Sequence, residues 1–201
     1  VKVKSDSTMK KIELLNEANQ GTLEARFLHP GLTPLARLDE DGLLAPPHLI
    51  AHRIEGGNGT TVLTITGRGQ PSESHQQYDF TTELLQHLSN NNINEIIVLA
   101  GLMSAPEMKE AFVVATSSSH RVDLEERGID VRRDQPSGGA IGMSALMASL
   151  APLFGINSVC AMATTVGASG DVHASIRLLE FINKGWNMNL QMPEDATSSL
   201  I

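Results

Sequence analysis

Ser137-Gly138-Gly139-Ala140-Ile141-Gly142 leads into the apolar run Met143-Ser144-Ala145-Leu146-Met147-Ala148-Ser149-Leu150, and Ser158-Val159-Cys160-Ala161-Met162-Ala163-Thr164 follows about eight residues later. A glycine-dense turn that opens a helix, with a strand behind it, is half of a βαβ unit and points to an α/β sheet. The glycines serve one of two ends. Either their backbone N–H groups cradle an anion at the helix start, or their missing side chains let the helix pack closely on the sheet. The first makes Ser137, Gly138 and Gly139 candidate ligand-binding residues. The pattern lacks the Gly-Lys-Ser/Thr end of a P-loop and is not a full Gly-x-Gly-x-x-Gly.

Working outward, strands and helices alternate. Lys11–Leu15 reads as a first strand and Gly21–Leu28 as a short helical segment, with Leu35–Leu38 a further strand. Asp39–Pro47 holds Asp-Gly and Pro-Pro, both turn chemistry. Leu49–Ile54 and Thr61–Thr66 form a hairpin across Glu55-Gly56-Gly57-Asn58-Gly59. Tyr78–Asn91 reads as a helix on the spacing of Leu84, Leu85 and Leu88. Glu95–Ala100 is a continuous apolar run of the kind found at the centre of a parallel sheet, and Ala111–Thr116 is another. Val122–Arg127 is a single helical turn. Asp171–Lys184 is the closing helix, with Val172, Ile176, Leu179 and Ile182 on one stripe and Gly185 as its stop. The expected fold is α/β, with a mixed, mostly parallel central sheet flanked by helices. Residues 1–201 make a single domain, and residues 1–10 and 193–201 are expected to be flexible tails.

The chain has 201 residues, 41% of them hydrophobic and 19% charged, with a net charge of −8. That length buries a full core. The acidic balance, with no stripe of Lys and Arg, excludes a nucleic-acid surface. The only cysteine, Cys160, forms no intrachain disulfide and sits in an apolar run, so a buried thiol and a cytoplasmic, reducing compartment are expected. No apolar run approaches the roughly 20 residues of a membrane span. Aromatic residues are only 3%, so aliphatic side chains and the eight methionines build the core or an adaptable interface.

Several blocks, in order, carry a resemblance: Leu44-Ala45-Pro46-Pro47, the strand end Gly67-x-Gly69-Gln70-Pro71, and Ile93-Asn94-Glu95-Ile96-Ile97-Val98-Leu99-Ala100-Gly101. After them come Val113-Val114-Ala115-Thr116, Gly138-Gly139-Ala140-Ile141-Gly142, and Asp171 leading a helix with Leu178-Leu179. Over roughly residues 30 to 190 the chain resembles the proteasome assembly chaperone family in its archaeal and bacterial branch. The resemblance implies a phosphorylase/hydrolase-like sheet with flanking helices, self-association, and for some members a role in building the proteasome core particle. It implies no catalytic residue set. Proteasome-docking relatives end in a hydrophobic–tyrosine–any-residue tail. This chain ends Ser199-Leu200-Ile201, with no tyrosine after Tyr78, so Leu200 and Ile201 are the apolar anchors such a tail would offer.

The remaining candidates have structural readings beside their chemical ones. Asp171 and His173 lie at the start of the closing helix near Thr164, Thr165 and Ser169. Asp171 is a helix cap or a ligand-binding carboxylate, and with His173 an acid–base pair. His48 and His52 fall on one face of an extended strand, without a third histidine or a cysteine to complete a zinc set. Ser117-Ser118-Ser119-His120 is a solvated loop rather than a nucleophile with its base, lacking a Gly-x-Ser-x-Gly elbow. Glu107, Lys109 and Glu110, after Pro106, read as the exposed start of a helix. Met103, Met108, Met143, Met147 and Met162 fill the core or line an interface. No metal and no cofactor are expected. The leading reading is a non-catalytic, protein-binding homo-oligomer whose partners are its own copies and proteasome α subunits, with no membrane or nucleic-acid partner. The alternative is a hydrolase or phosphorylase-like enzyme acting on a nucleoside-like or phosphorylated small molecule, with the glycine turn as its site.

Overall fold

A computed structural model of the chain describes residues 6–39, 41–140, 142–167 and 171–192. The elements are α1 (Asp6–Ala18), β1 (Thr22–Phe27), β2 (Arg37–Leu38), β3 (Leu44–Ala45), β4 (Leu49–Glu55), β5 (Thr61–Gly67) and α2 (Ser74–Asn90). They continue with β6 (Glu95–Met103), β7 (Ala111–Ala115), α3 (Ser118–Glu126), α4 (Met143–Leu150), a 3₁₀ turn (Ala151–Phe154), β8 (Asn157–Thr165) and α5 (Val172–Gly185). The expected tail at residues 1–10 thus contains the first turn of α1, and residues 1–5 and 193–201 lie outside the described residues.

The mixed α/β class holds, but the mostly parallel sheet does not. Strands order as β1-β4-β5, β2-β3 and β6-β8-β7, and among the described residues only β6 and β8 form a parallel ladder. The β1–β4, β2–β3, β4–β5 and β7–β8 ladders are antiparallel. The short turn from Gly56 to Thr60 can only return β5 antiparallel to β4, whereas a parallel pair needs a crossover of a dozen residues or more. Such a crossover, carrying α3 and α4, separates β6 from β8. The centre of its sheet is also displaced from the expected Glu95–Ala100: β8 lies between the other two strands and is buried from Ser158 to Thr164, while β6 is half-buried.

The pleat sorts the core into two sides. Val159, Ala161 and Ala163 of β8, Val113 of β7 and Ile54 of β4 pack beneath Ile12 and Leu15 of α1 and Leu178, Leu179 and Ile182 of α5. The alternate residues Cys160 and Met162 pack with Phe112 of β7 and Ala148 of α4. Beside them, Leu49 of β4 joins Phe80, Leu84, Leu85 and Leu88 of α2 and Met143 of α4. Val62 of β5 and Ile97 of β6 pack on the first cluster, and Leu63 and Ile96 on the α2 cluster, so the hairpin and the β6 sheet share both sides.

Two N-terminal elements exchange type. Lys11–Leu15, expected as a strand, lies in α1, and Gly21–Leu28, expected as helical, contains strand β1. Lys11, Ile12, Leu15 and Asn16 of α1 are buried, a helical stripe, and Asn16 Oδ1 accepts a hydrogen bond from the Thr64 hydroxyl of β5 at 2.9 Å. Ladder pairing with β4 from Thr22 to Phe27 overrides the helix-forming composition of β1.

Candidate functional site

The glycine turn lies exposed between α3 and α4. The N–H of Gly139 donates to Pro136 O at 2.9 Å, and Gly139 takes φ +72, so the tight turn itself requires that glycine. Gly142 is the N-cap of α4, at φ +95, and has no side chain with which to cap it. The cap is supplied from a distance: Gln70 Oε1, just past β5, accepts from the Met143 N–H at 3.0 Å. One of the free helix-start donors is therefore already used. A Cβ on Gly142 would stand 3.1 Å from Gln70 Nε2, whereas one on Gly138 or Gly139 would meet nothing within 4 Å. Ser137, Gly138 and Gly139 border open space.

Asp171 is the N-cap of α5. Its Oδ1 accepts from Ala174 N–H at 2.9 Å and its Oδ2 from the Thr165 hydroxyl at 2.7 Å. Burial pushes the carboxyl up, but the hydrogen bonds from Ala174, Thr165 and the Val166 backbone, together with the Arg177 charge, outweigh it and hold Asp171 below the usual aspartate range. Arg177 also donates to Thr164 O at 2.6 Å and Glu110 O at 3.3 Å, tying α5 to the end of β8 and to the residue before β7. His173 points to solvent. Among the described residues no hydrogen bond joins Asp171 to the glycine turn, and sequence alone gave no reason to separate them.

Because the folded Asp171 has the lower pKa, its contribution to stability is present above the unfolded value and is lost as pH falls through the folded one. Asp171→Asn is therefore expected to lower the urea midpoint at pH 7, with a gap to the parent chain that narrows as the pH drops below about 4. Urea titrations of both chains at pH 7 and pH 3 check this. A gap of the same size at both pH values would contradict it.

The other candidates take structural roles. Ser117-Ser118-Ser119-His120 is not a solvated loop. Ser117 caps α3, its Oγ accepting from the His120 N–H at 3.2 Å, and His120 is buried with Nε2 3.1 Å from Glu95 Oε1. The same Glu95 oxygen accepts from Trp186 Nε1 at 2.7 Å, and the Arg127 guanidinium lies 5.4 Å over the indole. This bridge between β6, α3 and the end of α5 involves residues far apart in sequence, so no local motif announces it. Val122–Arg127 belongs to the longer helix α3 rather than to a single turn. His48 Nδ1 hydrogen-bonds to Pro46 O at 2.7 Å, and His52 lies on β4 with its Nδ1 buried. Among the described residues no three His, Cys, Asp or Glu side chains are placed to hold a metal ion. Residues 107–110 form no helix; Glu110 N–H instead binds the Thr164 hydroxyl at 2.8 Å.

Among the described residues the exposed apolar side chains are scattered: some lie at strand ends and on β2–β3, others on helices, as Tyr78 on α2 and Val122 on α3, or on the 3₁₀ turn, as Leu153. Met103 is 68% exposed and lies against Gly167, with Val166 and Met108 also exposed, whereas Met143 and Met162 are core. Thr164 Oγ1 donates to Met108 O at 2.6 Å and so holds this loop beside the end of β8. Leu38 and Leu44 are 72% and 73% exposed. Leu200 and Ile201 lie outside the described residues. No helix among the described residues is long and apolar enough to cross a membrane.

Comparison with known proteins places these features. A family model described as the PAC2 family matches residues 12–197. An uncharacterized protein of Methanocaldococcus jannaschii, MJ1210, is 27% identical over 135 residues, covering 66% of this chain and 52% of that one, so the match spans about half the length of this curated relative. Among solved structures, Pyrococcus furiosus PbaB, described as an archaeal proteasome activator, superposes with a TM-score of 0.76 at 17% identity, covering 90% of this chain and 78% of PbaB. Pyrococcus furiosus PbaA, described as an archaeal homolog of proteasome-assembly chaperone, gives 0.72 at 20% identity, with 92% and 77% covered. The Mycobacterium tuberculosis homologue Rv2125 gives 0.73 at 16% identity, with 95% and 83% covered. At these identities the structural likeness is one of fold.

Proposed function

The chain belongs to the PAC2 family, and from that premise we propose that it is a non-catalytic protein-binding protein that assists assembly or docking of the proteasome core particle through its α subunits. On this reading it acts in the cytoplasm as a homo-oligomer, built from one α/β domain. The observation that carries the reading is the family match over residues 12–197, in company with neighbours described as a proteasome activator and an assembly-chaperone homologue. Exposed apolar residues such as Leu38, Leu44, Met103 and Val166 support it physically. Burying them against another chain gains about 25 cal/mol per Å² of apolar area.

A pull-down from native extract, with the full chain and with a form lacking Leu200 and Ile201, tests the reading. Recovery of proteasome α subunits is expected with the full chain and lost, at least about tenfold, without the two residues. Failure of the full chain to retain α subunits would contradict the proposal. Retention by both forms would remove Leu200 and Ile201 from it.

The second reading, a phosphorylase-like enzyme acting on a nucleoside-like or phosphorylated small molecule, is supported by the open space beside Gly138 and Gly139. A thermal-shift series with nucleosides, nucleotides and inorganic phosphate distinguishes it. A dose-dependent rise in Tm, abolished by Gly139→Val, would favour it.

A further inference from the structure

Asn58 is the only asparagine of the chain that is followed by glycine, and it lies exposed in the turn from β4 to β5. Its carboxamide is held at both ends. Oδ1 accepts from the Thr60 N–H at 3.0 Å, which folds the side chain back over the Gly59 peptide, and Nδ2 donates to Asn187 O at 2.5 Å. The second bond joins the turn to the segment behind α5, where Gly57 N–H also donates to Asn189 O at 3.2 Å. Gly59 brings no side chain to crowd its own nitrogen, and a Cβ there would meet nothing within 4 Å. The turn thus sets an amide carbon beside an uncrowded backbone nitrogen, and the same amide anchors a distant part of the chain.

We propose that Asn58 is a deamidation site, and that its conversion releases the turn from the segment behind α5. The Gly59 nitrogen, having lost its proton, bonds to Asn58 Cγ. The Cγ–Nδ2 bond breaks, and that nitrogen leaves with the proton as ammonia. The cyclic imide then takes up water at either carbonyl, giving aspartate or isoaspartate with no redox change. Thr60 N–H, already aimed at Oδ1, stabilises the charge that develops there. Two bonds oppose the step: Gly59 N–H donates to Gly56 O at 3.0 Å, and Nδ2 is kept on Asn187 O. Conversion therefore proceeds through brief openings of the turn, more slowly than in the unfolded chain. Afterwards a carboxylate, which only accepts, faces the Asn187 carbonyl, and the donor that tied the turn to it is gone. In isoaspartate the main chain also runs through Cγ, and the added carbon shifts the Gly57 and Gly59 donors out of register.

Peptide mapping by mass, on the full chain incubated at mildly alkaline pH either folded or unfolded in guanidinium chloride, tests the site. The peptide holding Asn58 is expected to gain about 1 Da and to divide into aspartate and isoaspartate forms, at least about tenfold more slowly in the folded chain. Gly59→Ala, whose methyl crowds the attacking nitrogen, is expected to slow the gain in both states. Hydrogen exchange tests the release. The Met188 and Leu190 amides, which donate to Asn183 O and Oδ1, are expected to exchange at least about tenfold faster in the converted chain and in Asn58→Asp. An Asn58 peptide that keeps its mass in the folded chain, while the unfolded chain converts, overturns the site. Unchanged exchange at Met188 and Leu190 in both the converted chain and Asn58→Asp overturns the release.

Discussion

Gly56→Ala is expected to lower stability by about 3 kcal/mol, read as a lower urea midpoint with an unchanged slope. A Cβ at Gly56 would stand 2.1 Å from the backbone oxygen of Met188. That oxygen has little room to retreat, because the segment after α5 is held on both sides. Asn183 donates to Leu190 O at 3.1 Å and accepts from Leu190 N–H at 2.9 Å, and Asn19 makes the same two-way pairing with Gln191. Gly57 N–H donates to Asn189 O, and Met188 and Leu190 are buried. Gly59→Ala, in the same turn, is the control. Its Cβ would meet nothing within 4 Å, and only its φ of +80 opposes alanine, so a loss of about 1 kcal/mol is expected. Equal losses at the two glycines would mean that the turn does not press on the 187–190 segment.

Phe112→Ala is expected to cost about 4 kcal/mol. Phe112 is 1% exposed, stands opposite Met162 in the β7–β8 ladder, and packs with Ala148 and Cys160. The cavity left behind lies beside a thiol that burial pushes up to about 11 and so keeps unreactive. Labelling of Cys160 by a thiol reagent at neutral pH is therefore expected to be slow in the parent chain and to accelerate in the variant. Val122→Ala, at a position 47% exposed, should change stability by less than about 0.5 kcal/mol. A Phe112 variant as stable as that one would contradict the assigned core.

What the sequence made readable follows from the length over which each pattern runs. The β4–β5 hairpin, α2, α5 and the strand at β8 all show several periods or a diagnostic turn, and each is found where expected. The five residues Lys11–Leu15 are too few to separate a strand from one turn and a half of helix; the stripe of α1 emerges only when Asn16 is included. Strand direction was not legible at all. Ala111–Ala115 reads the same in a parallel or an antiparallel ladder, and only its pairing with β8 fixes it as antiparallel. The Asp171 cap was readable because the cap and its helix are adjacent. The Gln70 cap on Met143 and the Glu95 bridge to His120 and Trp186 were not, since each joins residues brought together by the fold alone. The exposed leucines of β2 and β3 stand in sequence beside turn residues, and nothing in their order tells a buried leucine from an exposed one.

Sedimentation velocity of the labelled full chain mixed with purified proteasome α subunits examines the proposed role most directly. The account predicts that, at micromolar concentration, the label moves into the faster boundary of the α subunits and leaves it when unlabelled chain is added in excess. A label that sediments alone, at the same rate with and without α subunits, would contradict it.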